Sequence, residues 1–126
     1  MNLNQVTIPV INLERSIRFY QALGLTLIVK SIPDYARFEC SEGDSTLSLH
    51  RVERIQSGEG IWIYFEVKDL DSYVNDLINK GIPFEELPND KPWLWREARL
   101  RDPDNHQLLL YFAGENRKSP PWRLQS

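Results

Sequence analysis

The chain has 126 residues, about the size of one domain, and its 41% content of hydrophobic residues is enough to furnish a core. A formal net charge of −3 and a pI near 5.4, with no block of like charges, argue against a nucleic-acid-binding surface. No N-terminal apolar stretch resembles a signal peptide or a membrane span, and the single cysteine, Cys40, cannot form an internal disulfide, so we expect a cytoplasmic protein that binds neither membranes nor nucleic acid.

The first half of the chain predicts a strand, a helix and three further strands. A strand near residues 3–10 precedes a helix near 13–23, in which apolar residues recur at helical spacing and which Gly24 ends. Three strands are then predicted near 26–31, 35–41 and 45–51. Cys40 falls in the alternating pattern of this region, so we interpret it as a small core residue without a functional role.

The second half repeats this order at a constant offset of 57 residues. Without a gap, Leu13 aligns with Leu70, Ile17 with Val74, and Gly24 with Gly81. The predicted elements are a helix near 70–80 and strands near 60–67, 83–86, 95–101 and 106–112. An internal repeat of this kind indicates two copies of one supersecondary unit.

The repeat predicts an α+β fold in which two βαβββ modules form one domain. The domain spans residues 1–112, with modules at about 1–56 and 57–112, and a tail follows at 113–126. The tail has no strong helix or strand pattern. Its tryptophan, Trp122, is expected to dock on its own domain or on a partner subunit.

Two segments resemble a known family. The helix Glu14–Tyr20 followed by Leu23-Gly24-Leu25, together with the Asp102-Pro103-Asp104-Asn105 turn, resembles the vicinal oxygen chelate superfamily of glyoxalases, bleomycin-resistance proteins, fosfomycin-resistance proteins and extradiol dioxygenases. The resemblance spans about residues 3–112. It implies curved mixed sheets around a cavity, a homodimer, and a divalent metal held by side chains from the first and last strand of each module.

The metal-ligand positions that the resemblance implies hold unsuitable side chains. Strand alternation maps these positions to Gln5, Ser48, Trp62 and Leu109. Such metal sites use imidazole, thiolate or carboxylate ligands, and none of these four residues supplies one. We therefore expect no metal and no cofactor.

A displaced metal site is the alternative. Alternation also turns His50 and Glu66 inward, and Glu39 is a further candidate, so the three could hold a metal in a glyoxalase-like lyase or a dioxygenase. Against this alternative, His50 ends its strand, where a solvated histidine is the ordinary case. No catalytic residue is assigned, because Ser48 and His50 lack a recognisable orienting acid and oxyanion hole.

Aromatic and arginine side chains give the strongest remaining site pattern. Trp62, Tyr64 and Tyr111 face inward by alternation, and Trp93 and Trp95 precede the seventh strand. Such pockets bind flat, partly apolar ligands by stacking. A simpler interpretation also stays open, since aromatic residues at strand spacing often only fill a core.

Two arginines occupy equivalent inward positions. Arg37 and Arg99 could each bind a carboxylate or phosphate through the guanidinium fork. The simpler interpretation, which we favour, is that they form ion pairs of little energetic value along their own strands, Arg37 with Glu39, and Glu97 with Arg99 or Arg101.

The sequence therefore favours a metal-independent small-molecule-binding protein of the bleomycin-resistance type, with a flat or amphipathic ligand in an aromatic-lined cavity. The ligand-binding candidates share inward positions on the predicted strands or lie next to them. They are Gln5, Arg37, Ser48, His50, Trp62, Tyr64, Trp95, Arg99, Leu109 and Tyr111.

Overall fold

The computed structural model describes residues 1–125 and divides into two compact units. The first unit contains Met1–Glu59 and the short segment Asp102–Asn105, and the second contains Gly60–Arg101 and the chain from His106 onward. Each unit has the element order βαβββ. The predicted α+β fold with tandem modules is confirmed.

The first unit is a four-stranded mixed sheet with one helix. Its elements are β1 (Gln5–Val10), α1 (Leu13–Leu23), β2 (Thr26–Ser31), β3 (Tyr35–Glu39) and β4 (Thr46–Arg51). The strand order is β1-β4-β3-β2, with β1 and β4 parallel and the other neighbours antiparallel. A parallel pair needs a long crossover connection, and α1 with the strands that follow it provides that connection.

Helix α1 begins and ends where the sequence predicts. At its start the Asn12 side chain accepts a hydrogen bond from the Arg15 backbone N–H at 3.0 Å. At its end Gly24 has φ of 118°, a left-handed conformation that favours glycine. The Leu25 N–H then donates to the Tyr20 carbonyl at 3.0 Å, which closes the last turn.

The core of the first unit lies between α1 and one face of its sheet. The ring of Tyr20 on the helix lies 6.0 Å from the ring of Phe38 on β3, measured between centroids. Alternate residues of the strands face the helix and are almost fully buried. They are Ile8, Val10, Ala36, Phe38, Leu47 and Leu49.

The Asp102–Asn105 turn is bonded to α1. The Tyr20 hydroxyl donates to an Asp102 carboxylate oxygen at 2.6 Å, and both side chains are buried. Burial, followed by the neighbouring Asp102 charge, raises the pKa of Tyr20. Asp104 accepts hydrogen bonds from the Ile11 backbone N–H at 3.1 Å and the Ser16 hydroxyl at 3.2 Å. The Asp-Pro-Asp-Asn motif is therefore structural, since its carboxylates fix the start and the buried face of this helix.

The second unit repeats the architecture of the first. Its elements are β5 (Trp62–Glu66), α2 (Leu70–Asn79), β6 (Glu86–Asp90), β7 (Arg96–Arg101) and β8 (Gln107–Phe112), in the sheet order β5-β8-β7-β6. Gly81 has φ of 93°, and the Ile82 N–H donates to the Leu77 carbonyl at 3.1 Å. This is the helix ending of α1, displaced by the same 57 residues.

Most predicted elements match to within a residue or two, but the prediction for β6 was wrong. The strand was predicted near 83–86 and is Glu86–Asp90. Pro88 normally argues against a strand interior, yet β6 is the edge of its sheet, where a missing N–H is tolerated. A register shift between Glu86 and Asn89 accommodates the irregular segment.

The tail after β8 begins with a short 3₁₀ helix, Gly114–Arg117. One Glu66 carboxylate oxygen accepts from the backbone N–H groups of Ala113 and Gly114, each at 2.9 Å. Trp122 is 56% exposed, and its docking on its own domain or on a partner subunit stays a prediction. No helix within the described chain reaches the length and apolarity that a bilayer crossing requires.

Candidate functional site

The predicted residues of the first unit lie on the sheet face opposite α1. Paired residues of neighbouring strands point to the same side of a sheet. Ser48 is paired with Thr7 and with Arg37, and His50 with Tyr35. We call this surface the polar face; its members are Gln5, Thr7, Tyr35, Arg37, Ser48 and His50.

Three residues of the polar face form a hydrogen-bonded group. The Tyr35 and Ser48 hydroxyl oxygens are 2.7 Å apart, and the Arg37 Nε donates to the Tyr35 hydroxyl oxygen at 2.9 Å. The Arg37 guanidinium also lies 5.4 Å from the centre of the Tyr35 ring. The hydrogen bond with Ser48, followed by that from Arg37, lowers the pKa of Tyr35. The strand register places Tyr35 on this face, although sequence reasoning did not select it as a site residue.

The other two candidates of the first unit lie outside this group. The Gln5 side-chain oxygen accepts a hydrogen bond from the Thr46 hydroxyl at 2.7 Å. His50 is exposed at the end of β4. Their positions on the predicted face agree with the strand register, while their roles in binding stay predictions.

The second unit carries the aromatic residues on the equivalent face of its sheet. Tyr64 is paired with Leu109, Leu109 with Arg99, and Tyr111 with Glu97. This register matches that of the first unit, in which Thr7, Ser48 and Arg37 occupy the positions of Tyr64, Leu109 and Arg99. We call this surface the aromatic face; its members are Trp62, Tyr64, Trp95, Glu97, Arg99, Leu109 and Tyr111.

Three rings of the aromatic face pack against one another. Trp95 stacks on Tyr111 with a centroid distance of 4.7 Å and an interplanar angle of 22°. Tyr64 meets both rings edge-on, at 6.0 Å from Trp95 and 5.5 Å from Tyr111. The Trp95 indole N–H donates to the Asn116 carbonyl of the tail at 3.2 Å. Burial raises the pKa of both tyrosines.

Trp62 contacts Arg99 instead of joining this cluster. The Arg99 guanidinium lies 4.6 Å from the centre of the Trp62 ring, a cation–π geometry. Among residues 1–125, the buried Nε of Arg99 has no hydrogen-bond partner. The nearest carboxylate oxygen, on Glu86, is 3.9 Å away.

Glu86 is held by other donors. One of its oxygens contacts the Lys91 ammonium and accepts from the Asn89 side chain at 2.6 Å. Hydrogen bonds from Lys91 and Asn89 lower the pKa of this carboxyl. Arg99 therefore keeps much of its hydrogen-bonding capacity.

The structure gives the arginines partners other than those considered from sequence. Arg37 donates to Tyr35, Arg99 lies over Trp62, and the nearly buried Glu97 accepts from the Trp93 indole N–H at 2.6 Å. Trp93 thereby positions a carboxylate and contributes only indirectly to the aromatic face.

The residues at the family's metal-ligand positions do not fit a metal. Gln5 is bonded to Thr46, Ser48 to Tyr35, and Trp62 lies beneath Arg99, while Leu109 is fully buried and has no donor atom. These side chains offer no imidazole, thiolate or carboxylate.

The displaced metal site is not formed either. Within residues 1–125 no three histidine, cysteine, aspartate or glutamate side chains come together in an arrangement that could hold a metal ion. Glu66, one of the three residues considered, is engaged with the backbone of the tail, and Arg117 lies 3.9 Å from its second oxygen.

Comparison with known proteins agrees with this architecture. Residues 2–110 match the model of the Glyoxalase/Bleomycin resistance protein/Dioxygenase superfamily. The uncharacterized protein YraH of Bacillus subtilis (strain 168) is 31% identical over 125 residues, a match that covers 88% of this chain and 98% of that protein.

Solved structures share the fold at lower identity. A glyoxalase/bleomycin resistance protein/dioxygenase from Nocardioides has a TM-score of 0.78 and 23% identity, covering 99% of this chain and 90% of its own. Lactoylglutathione lyase from Agrobacterium tumefaciens has a TM-score of 0.73 and 19% identity, with coverages of 88% and 92%. TioX from Micromonospora sp. ML1 has a TM-score of 0.71 and 16% identity, with coverages of 90% and 99%. On its fold and on the family match, the chain belongs to the glyoxalase/bleomycin resistance protein/dioxygenase superfamily.

Proposed function

We propose that the protein is a metal-independent small-molecule-binding protein of the bleomycin-resistance type. Its ligand is flat and amphipathic, carries an anionic group, and binds on the aromatic face. The observation that carries this proposal is the position of Arg99, whose guanidinium lies 4.6 Å from the centre of the Trp62 ring. Among residues 1–125, the Nε of this guanidinium has no hydrogen-bond partner.

Exposed ring surface supports the stacking part of the proposal. Trp62 is 39% exposed and Tyr64 is 42% exposed, although both lie on a sheet face. The rings of Trp95 and the buried Tyr111 lie on the same side of the sheet as Tyr64 and pack against its ring. A flat ligand that covers these rings gains apolar burial and ring contacts, which contribute about 0.5–1.5 kcal/mol per aromatic pair beyond burial.

The charge on Arg99 supports the anionic part. Its side chain is partly exposed and only loosely paired with Glu86, which Lys91 and Asn89 already occupy. A carboxylate, sulfonate or phosphate that accepts from the guanidinium gains a charge-assisted hydrogen bond beside an apolar ring. The proposed ligand therefore has both an aromatic part and an acidic part.

A matched pair of dyes tests both parts. Anilinonaphthalenesulfonate and N-phenylnaphthylamine share their rings and differ in the sulfonate, and both fluoresce when bound. We expect the sulfonate to bind the unmodified protein about tenfold more tightly, because its hydrogen bond to the cation contributes about 1.4 kcal/mol or more. Trp62→Ala should weaken both dyes, and Arg99→Gln should weaken only the sulfonate.

Arg101→Gln is the matched control, since it removes the same charge from the same strand where the guanidinium is paired with Glu85 at 3.0 Å. This variant should bind both dyes as the unmodified protein does. Equal dye affinities in the Trp62→Ala and unmodified proteins would refute the proposal, provided that circular dichroism shows both to be folded.

A further inference from the structure

The two modules have diverged at equivalent positions. Both sheets carry an arginine at the same register, Arg37 opposite Ser48 and Arg99 opposite Leu109. Arg99 lies over an indole ring, whereas Arg37 belongs to a hydrogen-bonded group with two hydroxyls. The polar face is therefore chemically distinct from the aromatic face.

The direction of the Tyr35–Ser48 hydrogen bond follows from burial. Ser48 is 0% exposed, and within the described chain its hydroxyl bonds only to Tyr35. If Tyr35 donated, the Ser48 hydrogen would be buried without an acceptor, at a cost of about 1–3 kcal/mol. Ser48 therefore donates, Arg37 also donates, and the phenol proton of Tyr35 points away from both.

The guanidinium of Arg37 is also incompletely used. In the part of the chain that the structure describes, no carboxylate lies within ion-pair distance of it, and its one hydrogen bond uses Nε. The N–H groups of its two terminal nitrogens therefore have no hydrogen-bond partner among residues 1–125. Because the guanidinium is a rigid planar fork and its Nε lies 2.9 Å from the Tyr35 hydroxyl oxygen, both terminal nitrogens stay within about 5 Å of that oxygen.

We propose that Tyr35, Arg37 and Ser48 form a second ligand site, which binds an oxygen anion of the carboxylate type. The anion accepts hydrogen bonds from a terminal nitrogen of Arg37 and from the Tyr35 hydroxyl. Ser48 is a positioning residue, because its hydrogen bond directs the phenol proton toward the ligand.

Tyrosine ionisation provides a specific readout. The chain has five tyrosines, and burial raises the pKa of Tyr20, Tyr64, Tyr73 and Tyr111, whereas hydrogen bonds lower that of Tyr35. On this side of the sheet the other titratable groups are His50 on β4 and Glu39 on β3. The neighbouring strands β1 and β2 present the non-titrating residues Gln5, Thr7, Val29 and Ser31. Neither His50 nor Glu39 contributes to tyrosinate absorbance.

The experiment follows tyrosinate absorbance against pH while cyclohexanecarboxylate replaces chloride at constant ionic strength. A bound carboxylate needs the phenol proton, so it should move the first ionisation to higher pH. The shift should approach about one pH unit for each tenfold rise in carboxylate above its dissociation constant. Tyr35→Phe should remove this first ionisation, and Arg37→Gln should abolish its response to carboxylate.

Two control variants locate the effect. Arg51→Gln removes an equal charge from β4, where the guanidinium is paired with Glu53 at 3.1 Å, and should respond as the unmodified protein does. Arg99→Gln should also respond normally, which separates this site from the aromatic face. The proposal is overturned if the first ionisation survives in Tyr35→Phe, if carboxylate fails to move it, or if it moves equally in a folded Arg37→Gln protein.

Discussion

Single side chains distinguish the two sheets of this protein more than their backbones do. At one register position the first unit has Ser48 and the second has Leu109, and at another Gln5 corresponds to Trp62. A hydroxyl and an amide build a polar surface, while an indole and an alkyl chain build an apolar one. One repeated backbone thus presents two different chemistries.

The hydrogen bond between Tyr20 and Asp102 leads to a prediction at this scale. Tyr20→Phe should lower the free energy of unfolding by about 2 kcal/mol at neutral pH, because it removes a buried hydrogen bond to a charged group. The measurement is urea unfolding of both proteins.

The pH dependence of that difference has a defined sign. Burial and Asp102 raise the pKa of folded Tyr20, so its contribution is fully present below the ordinary tyrosine pKa of about 10 and is lost as the pH rises above it. The difference in the free energy of unfolding between the unmodified and Tyr20→Phe proteins should therefore shrink in alkaline solution. A gap that stays constant from neutral to alkaline pH would contradict this assignment.

At the scale of elements, two helices end in the same way and define the two modules. Gly24 and Gly81 both have positive φ, and in each case the next residue donates back to the last turn of the helix. A chain reversal in the left-handed region directs the following segment toward the sheet.

Gly81→Ala tests this element directly. An added Cβ meets nothing within 4 Å, so the cost is backbone strain alone. We expect the free energy of unfolding to fall by about 1–2 kcal/mol, the cost of a left-handed conformation for a residue with a Cβ. Asn79→Ala, at an exposed helical position two residues earlier, is the control and should change stability little. An unchanged unfolding midpoint in Gly81→Ala would show that the strain is relieved elsewhere.

For the whole molecule, the sequence predicted the architecture well because the internal repeat can be recognised from local sequence patterns. Helical spacing, a terminating glycine and strand alternation are short-range properties, and they also predicted which sheet face carries Trp62 and Arg37. The edge strand β6 was placed wrongly, since Pro88 is acceptable only where no neighbouring strand needs its N–H.

The contacts within each face were beyond sequence reasoning. Alternation put Arg37 and Ser48 on one side of the sheet, but only the structure shows that the Tyr35 phenol is hydrogen-bonded to both. The stacking of Trp95 on Tyr111 likewise depends on how the segment before β7 turns. The homodimer and the ligand itself stay predictions.

The most direct test of metal-independent binding is the affinity of anilinonaphthalenesulfonate for protein whose metal content has been measured by elemental analysis. We predict the same dissociation constant before and after exhaustive dialysis against a chelator, and again after zinc, nickel, manganese or ferrous iron is added. Binding that disappears with the chelator and returns with one equivalent of metal per chain would contradict the account.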